Sequence, residues 1–435
     1  LRASCADAPH GVRRLCAARD LLHPAARFEW EETMAGALDG LRVIDLTRVV
    51  AGPLCAQMLG DLGADIAKVE RRGDGDDLRA LGPPFVPGTE DSAYFVTLNR
   101  NKRSVSVDFA KPEGAAILRR MVANADVLIE NFRPGTLARY GLGYEDLRAV
   151  NPRLIYCSVS GFGQSGPYAG RSGYDFVAQA MTGLMEVTGE ADGAPGGGPQ
   201  RVGVPVADMF TGFAAAVSIL AALRHRDATG EGQSVDVNLF ETMASLMQAP
   251  MSSWLNAGRL FPRTGNDSPV AVPYGVFEGS DAKFVIGVLN DREFVRLAEA
   301  LGHPEWSEDP RFKRARDRAE HRASLLDRMR TLLKTRPRAE WLARLEAAKI
   351  TSGPINTAQD FEADPHVAAR GTIIEVPHHA GRTVRVVASP LHLSATPATV
   401  RHGIPAPGGD TDAVLAEFAG MDAAEIAAAR AAGIV

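Results

Sequence analysis

Asp208 is the residue whose type and setting most invite chemistry. It follows Gly203-Val204-Pro205 and opens an apolar helical pattern with Phe210, Phe213, Val217 and Leu220 on one face. An acid in a first helical turn often only caps the backbone or meets the helix dipole. It can also be a nucleophile. A carboxylate of ordinary pKa, about 3.9, is ionised at neutral pH, and helix N–H groups can stabilise the oxyanion formed when it attacks a carbonyl. Other signals point away from familiar chemistries. Gly161-Phe162-Gly163-Gln164-Ser165-Gly166 fits G-x-G-x-x-G after a predicted strand, yet Pro167 and Gly170 prolong the loop where a dinucleotide fingerprint requires a helix to begin. The glycine-rich residues 193–199 lack the Lys-Ser/Thr ending of a phosphate-binding P-loop. The 10 histidines include no H-E-x-x-H, and His378-His379 falls in a predicted hairpin, so no metal site is expected.

Alternating strands and helices must position these residues. Residues 41–47 (LRVIDLT) read as a strand broken by Ala51-Gly52-Pro53, 54–62 as a helix, and 65–70 (DIAKVE) as a second strand. Helix 112–123 opens with Pro at its first position, followed by strand 125–130, helix 144–150 and strand 154–160. Such units predict an α/β fold with a parallel sheet covered by helices. Right-handed crossovers would gather loops 48–53, 71–79, 131–135 and 161–173 along one sheet edge, where the ligand is expected. Further on, helices 205–226 and 239–256 flank strand 234–238. A turn-rich stretch, 265–275, leads to strand 283–288 and helices through residue 345. Strands 372–376 and 383–387 surround an Ala380-Gly381 turn, and an Ala-rich helix, 412–432, closes the chain.

Composition narrows the function classes. The 435 residues are 45% hydrophobic and 23% charged, an ordinary globular balance with room for two or three domains. The net charge of −5 argues against a nucleic-acid partner. An anionic ligand would therefore need a local arginine cluster. The cysteines Cys5, Cys16, Cys55 and Cys157 form no C-x-x-C pair, so neither disulfide scaffold nor cysteine zinc site is predicted. The most apolar run, residues 209–223, is bounded by Asp208 and Arg224 and falls short of the roughly 18 residues of a membrane span, so no membrane partner is expected. Residues 1–34 are rich in Ala and Arg ahead of a new pattern. They read as an extension, non-native or targeting. The expected location is cytoplasmic, or the mitochondrial matrix if residues 1–33 are a transit peptide.

Several stretches together resemble the family III CoA-transferases (CaiB/BaiF type). They are 41–70 (LRVIDLTRVVAGPLCAQMLGDLGADIAKVE), 99–104 (NRNKRS), 130–135 (ENFRPG), 141–147 (GLGYEDL), 158–178 (SVSGFGQSGPYAGRSGYDFVA), 206–212 (VADMFTG) and 353–356 (GPIN). The resemblance covers residues 38–435. It implies a large α/β domain with a mostly parallel sheet, built from residues 35–256 and 357–435, a smaller inserted α+β domain at 257–356, and an interlocked homodimer. It implies no tightly bound cofactor, coenzyme A entering as part of the substrate, with an acyl-CoA and a small carboxylic acid as partners.

Carried over by position, the family's nucleophile falls on Asp208, which would form an aspartyl anhydride and then an aspartyl-CoA thioester. The resemblance places CoA contacts on Val50, Ala51, Arg71, Val107, Asp108, Asn131, Phe132, Arg133, Arg139, Arg171, Ser172 and Tyr174. Arg48, Arg79 and Asp175 are matched to the substrate acid, with Arg48 and Arg79 resembling the succinyl-CoA:glutarate branch. Val50 stands where formyl-CoA enzymes carry Gln, and 265–275 replaces their glycine-rich loop. Tyr174 stands where racemases carry a basic His. The first two differences argue against oxalate and formyl specificity, and Tyr174 favours transfer over racemisation; a 2-methylacyl-CoA racemase and a non-catalytic CoA-binding module stay as the alternatives to CoA transfer.

Overall fold

A computed structural model describes residues 36–435, so the expected extension at 1–34 lies outside the described residues. The main sheet has six parallel strands in the order β3-β2-β1-β4-β5-β6: β1 (Arg42–Asp45), β2 (Asp65–Glu70), β3 (Arg103–Ser106), β4 (Val127–Glu130), β5 (Ile155–Ser160) and β6 (Ser234–Asn238). Strand side chains alternate between faces, and both faces here are buried. Val43, Val127, Ile129 and Cys157 join a core with helices α1 (Ala51–Asp61) and, much later in the chain, Val206–Thr229. Ile44, Leu128 and Tyr156 join the opposite core, under α2 (Pro112–Ala123) and α3 (Tyr144–Val150).

The helix α1 starts three residues before the expected position, because Pro53 is tolerated in a first turn, where its missing N–H has no intrahelical role. Gly52 is required there, since a Cβ would lie 2.3 Å from the Thr47 side chain. Between β5 and β6 lie α4 (Asp175–Met181), absent from the sequence reading, a single helical turn at Leu184–Val187, and α5 (Val206–Thr229). Among the described residues α5 is long and apolar enough to cross a membrane by length and composition. Here its Ala215, Ala216, Ile219 and Leu223 pack into the core against α1 and the sheet.

The predicted helix 239–256 is two helices, α6 (Leu239–Leu246) and α7 (Gln248–Ala257). Pro250 in the first turn of α7 lacks the N–H that would continue α6 through Met247. Beyond it a separate core, from Val272 to Ile350, gathers Phe277, Phe284, Phe294, Trp306 and Trp341 around an antiparallel sheet. That sheet is β7 (Tyr274–Glu278), β8 (Lys283–Gly287) and β9 (Thr351–Pro354), flanked by α8 (Asp291–Leu301), α9 (Arg322–Leu333) and α10 (Arg338–Ala347). The sequence reading has no strand at β7: it runs 265–275 as turns and begins the next strand at residue 283.

The chain then returns to the core on the α1 side of the six-stranded sheet. The hairpin β10 (Ile373–His378) and β11 (Arg382–Val387) turns at Gly381, φ 71°, and Val376, Val384 and Val386 enter the α1 core. The expected terminal helix is split into α11 (Thr411–Ala419) and α12 (Ala423–Ala431). Gly420 adopts the left-handed cap, φ 60°, and Asp422 with Glu425 forms a capping box that restarts the helix. The NRNKRS stretch is a fastening. Arg100 pairs with Asp61 at 2.6 Å, and the Asn101 side chain accepts the N–H groups of Arg401 and His402. Strand β3 was hidden in this polar run because its charges are satisfied inside the fold.

Candidate functional site

The strand order reverses between β1 and β4, and the crevice beyond the C-terminal ends of such strands is where open α/β sheets bind ligands. The loops after β1, β2, β4 and β5 all emerge on that edge. The reciprocal amide of Asn131 ties two of them: its Oδ1 accepts Arg48 N–H at 3.0 Å and its Nδ2 donates to Arg48 C=O at 2.8 Å. The Arg48 guanidinium lies 5.3 Å from the Phe132 ring centre. Burial and the neighbouring Arg71 cation lower the Arg48 pKa from its ordinary value, with Asp77 as partial counter-charge. Arg71 pairs with the same Asp77. Arg48 and Arg71 thus form a compact basic corner suited to a diphosphate or a carboxylate.

Phe132 also packs edge-to-face on Phe109, which packs in turn on Tyr140, with ring centres 5.7 and 6.0 Å apart. This aromatic surface at the ends of β3 and β4, beside Asp108 and exposed Arg139, suits a planar base. Phe109 and Tyr140 were missed, because nothing in sequence links two aromatics 31 positions apart. The Glu130 carboxyl holds the β4 turn by accepting Phe132 N–H at 2.8 Å, and its pKa is pushed up to about 7 by burial. Arg133 donates to the Ser172 hydroxyl at 2.7 Å, joining the β4 and β5 loops. Arg171 stacks over Tyr168 at 4.6 Å, and Tyr174 is 72% exposed. The side chains of Val50, Ala51 and Val107 are buried in the core, so these residues can meet a ligand only through their backbone.

Two expected acid-binding residues are otherwise engaged. The Arg79 guanidinium, 4% exposed, donates to both Glu70 oxygens at 2.8 Å, to Asp91 at 3.0 Å and to Pro405 C=O at 3.0 Å. It also lies 3.9 Å from the Phe95 ring centre. No fork remains for a substrate carboxylate, and Arg79 is a structural residue. Asp175, at the start of α4, uses Oδ1 to accept the N–H groups of Ala207 and Asp208 at 2.7 and 3.3 Å. Its Oδ2 accepts Gln179 Nε2 at 2.6 Å, and Gln179 Oε1 accepts Val202 N–H at 2.9 Å. Asp175 therefore caps α5 and orients the turn bearing Asp208.

Asp208 is half-buried in the first turn of α5. Burial, and then the Asp175 carboxylate, push its pKa up to about 7, so the carboxyl is not fully ionised at neutral pH as its residue type alone predicts. Tyr94 is the residue that sequence reasoning missed here. Its hydroxyl is buried and has no hydrogen-bond partner among the described residues. Its pKa is pushed up to about 12 by burial and by the Asp208 and Asp175 carboxylates. A neutral donor without an acceptor beside a desolvated acid can hold an oxygen formed on that acid.

Asp91 Oδ2 also lies 3.1 Å from His378 Nε2 and is hydrogen-bonded to His379 Nε2 at 2.7 Å, a group compact enough for a metal ion. The Arg79 cation on Asp91 and the Ala380 N–H on His378 Nδ1 make it a poor ligand set.

Comparison with known proteins places this geometry. The model of CoA-transferase family III matches residues 38–411. The succinate–glutarate CoA-transferase of Agrobacterium fabrum is 41% identical over 385 residues, covering 88% of this chain and 95% of that protein. The succinyl-CoA–D-citramalate CoA-transferase of Chloroflexus aurantiacus is 36% identical over 399 residues, covering 92% and 98%. The crystal structure of a CaiB/BaiF family protein from Brucella suis superposes with TM-score 0.79 and 42% identity, covering 88% of this chain and all of that one.

Proposed function

The chain belongs to CoA-transferase family III, and from that membership we propose that it moves CoA from succinyl-CoA to a small dicarboxylic acid with Asp208 as nucleophile. The substrate class rests on the relatives named for glutarate and citramalate, and on the basic corner at Arg48 and Arg71. The observation that carries the nucleophile is a half-buried carboxylate on a helix N-terminus with no ion-pair partner among the described residues, close enough to the Tyr94 hydroxyl to raise its pKa, a hydroxyl that likewise has no hydrogen-bond partner there.

Asp208 attacks the thioester carbon, and the C–S bond breaks to give a mixed anhydride and CoA thiolate. The thiolate then attacks the Asp208 carbonyl, releasing succinate and leaving an aspartyl-CoA thioester. The acceptor carboxylate displaces that thiolate, forming a second anhydride. Thiolate attack on the acceptor's acyl carbon yields the new acyl-CoA and frees Asp208. Each step exchanges acyl oxygen and sulfur bonds of similar energy. The first-turn N–H groups of α5 are taken by Asp175, Val204 and Pro205, so the Tyr94 hydroxyl is the donor that stabilises the tetrahedral oxyanions. Arg48 takes the second carboxylate of the dicarboxylate.

The chain acts as a homodimer on this reading. Val217 on α5 and Trp254 and Leu255 on α7 are 64, 52 and 71% exposed in the single chain, an apolar surface that a second copy would cover. Hydroxylamine added during turnover with succinyl-CoA tests the mechanism. Inactivation with a hydroxamate on Asp208 is expected, and full activity with no adduct refutes the acyl-aspartate route.

A further inference from the structure

Asp76 follows β2 and is 1% exposed. Its Oδ2 accepts Lys68 Nζ at 2.9 Å, while Oδ1 accepts the N–H groups of Leu78 at 2.9 Å and Val49 at 3.1 Å. Its own N–H is held by Glu70 Oε2 at 2.7 Å. Val49 has φ 70°. For a β-branched residue that is a genuine outlier, and such a conformation persists only where its surroundings impose it. Arg48, just before Val49, is held through both its N–H and its C=O by the Asn131 amide. Two residues past Val49 the chain enters α1, whose first N–H groups have no intrahelical acceptor. The turn is thus held by Asn131 from β4 and by Asp76 from β2.

We propose that Asp76 is a positioning residue of the transfer reaction: by holding the Val49 N–H it locks the turn that presents Arg48 and the Val50–Ala51 backbone to the acyl-CoA. This rests on the assignment of the β1–α1 turn to the acyl-CoA site. Val49 carries the strain, and the buried ion pair with Lys68 fixes the carboxylate that imposes it.

Asp76→Asn is nearly isosteric but offers one oxygen where the carboxylate offers two. The buried Lys68 cation claims that oxygen, because an amide N–H against a buried charge is the costlier mismatch. Val49 then loses its acceptor. In succinyl-CoA–glutarate exchange, kcat should fall about 100-fold, the scale of a ~1 Å misplacement, with a smaller change in KM for succinyl-CoA. Adding Val49→Gly should recover about 10-fold in kcat, since glycine adopts positive φ without a Cβ penalty. The melting temperature should stay at the Asp76→Asn level, and Val49→Gly alone should not raise kcat. A folded double variant as slow as Asp76→Asn makes Asp76 a mere support for Lys68 and overturns the proposal. If Asp76→Asn does not fold, Asp76→Glu, which keeps a charge for Lys68 but displaces the oxygen from Val49, carries the same comparison. A wild-type chain that exchanges nothing overturns the assigned reaction, and this proposal with it.

Discussion

Charges are handled in opposite ways at the ends of β1 and β2 and at the start of α5. Below the strand ends, Asp45, Lys68, Glu70, Asp76, Arg79 and Lys102 are all buried and all paired. At the start of α5, Asp175 accepts the Asp208 backbone N–H, and among the described residues neither carboxylate forms an ion pair. Pairing lowers the Asp45 and Glu70 pKa values below the usual carboxylate range, chiefly through Lys102 and Arg79 working against burial. Burial without a cation raises Asp208 instead. A paired charge is fixed and inert, and serves to place backbone. An unpaired one remains able to bond.

The sharpest way to break this contrast is to remove Asp208. Asp208→Asn should lower CoA exchange by about 10⁴-fold or more, the scale of nucleophile loss, in a discontinuous acyl-exchange assay. The same variant should be more stable than wild type at pH 8. Because the folded-state pKa is raised from 3.8 to about 7, the fold favours the protonated acid. That stability is complete below the unfolded pKa and lost as pH rises through the folded one. Denaturant unfolding should show a gain of about 1 kcal/mol or more at pH 8 and almost none near pH 4.

Arg79→Met tests the paired region. Losing one partner of a buried ion pair costs about 3–5 kcal/mol, so the midpoint of urea unfolding should drop sharply. In the folded fraction, KM for dicarboxylates and monocarboxylates should change alike. A selective rise for dicarboxylates would return Arg79 to the substrate site.

The pH profile separates the regions without mutation. In kcat/KM, which reports the free enzyme, activity should fall about tenfold per unit below a pKa near 7, because only ionised Asp208 attacks. A profile flat down to pH 5 would give Asp208 an ordinary acidity. Arg48→Met should give the smallest effect, a rise of about 10-fold in KM for dicarboxylates with little change for monocarboxylates, matching roughly 1.5 kcal/mol for one charge-assisted contact. Equal effects on both acids would remove Arg48 from acid recognition.

Arg48 and Arg79 show how far a one-dimensional reading reaches. Both are arginines at strand ends, and both were matched to the acid. Their difference lies in Glu70, Asp91 and Pro405, which surround Arg79 from three parts of the chain. Asp175 likewise looked like a substrate contact until the fold brought the α5 backbone against it. Tyr94 and Asp76 left no signal. A buried hydroxyl without a partner and a carboxylate shared by three donors are properties of packing, not of spacing.

The sequence by itself determined the parallel sheet, the edge where its loops collect, the family and the candidate nucleophile, because apolar periodicity and short ordered motifs are local and survive without coordinates. Only the tertiary structure decided which charges are spent on each other and which stay free, and that Val49 is held at positive φ. Desolvation and pairing depend on atoms from distant segments, so acidity and availability are set by the fold rather than by residue type.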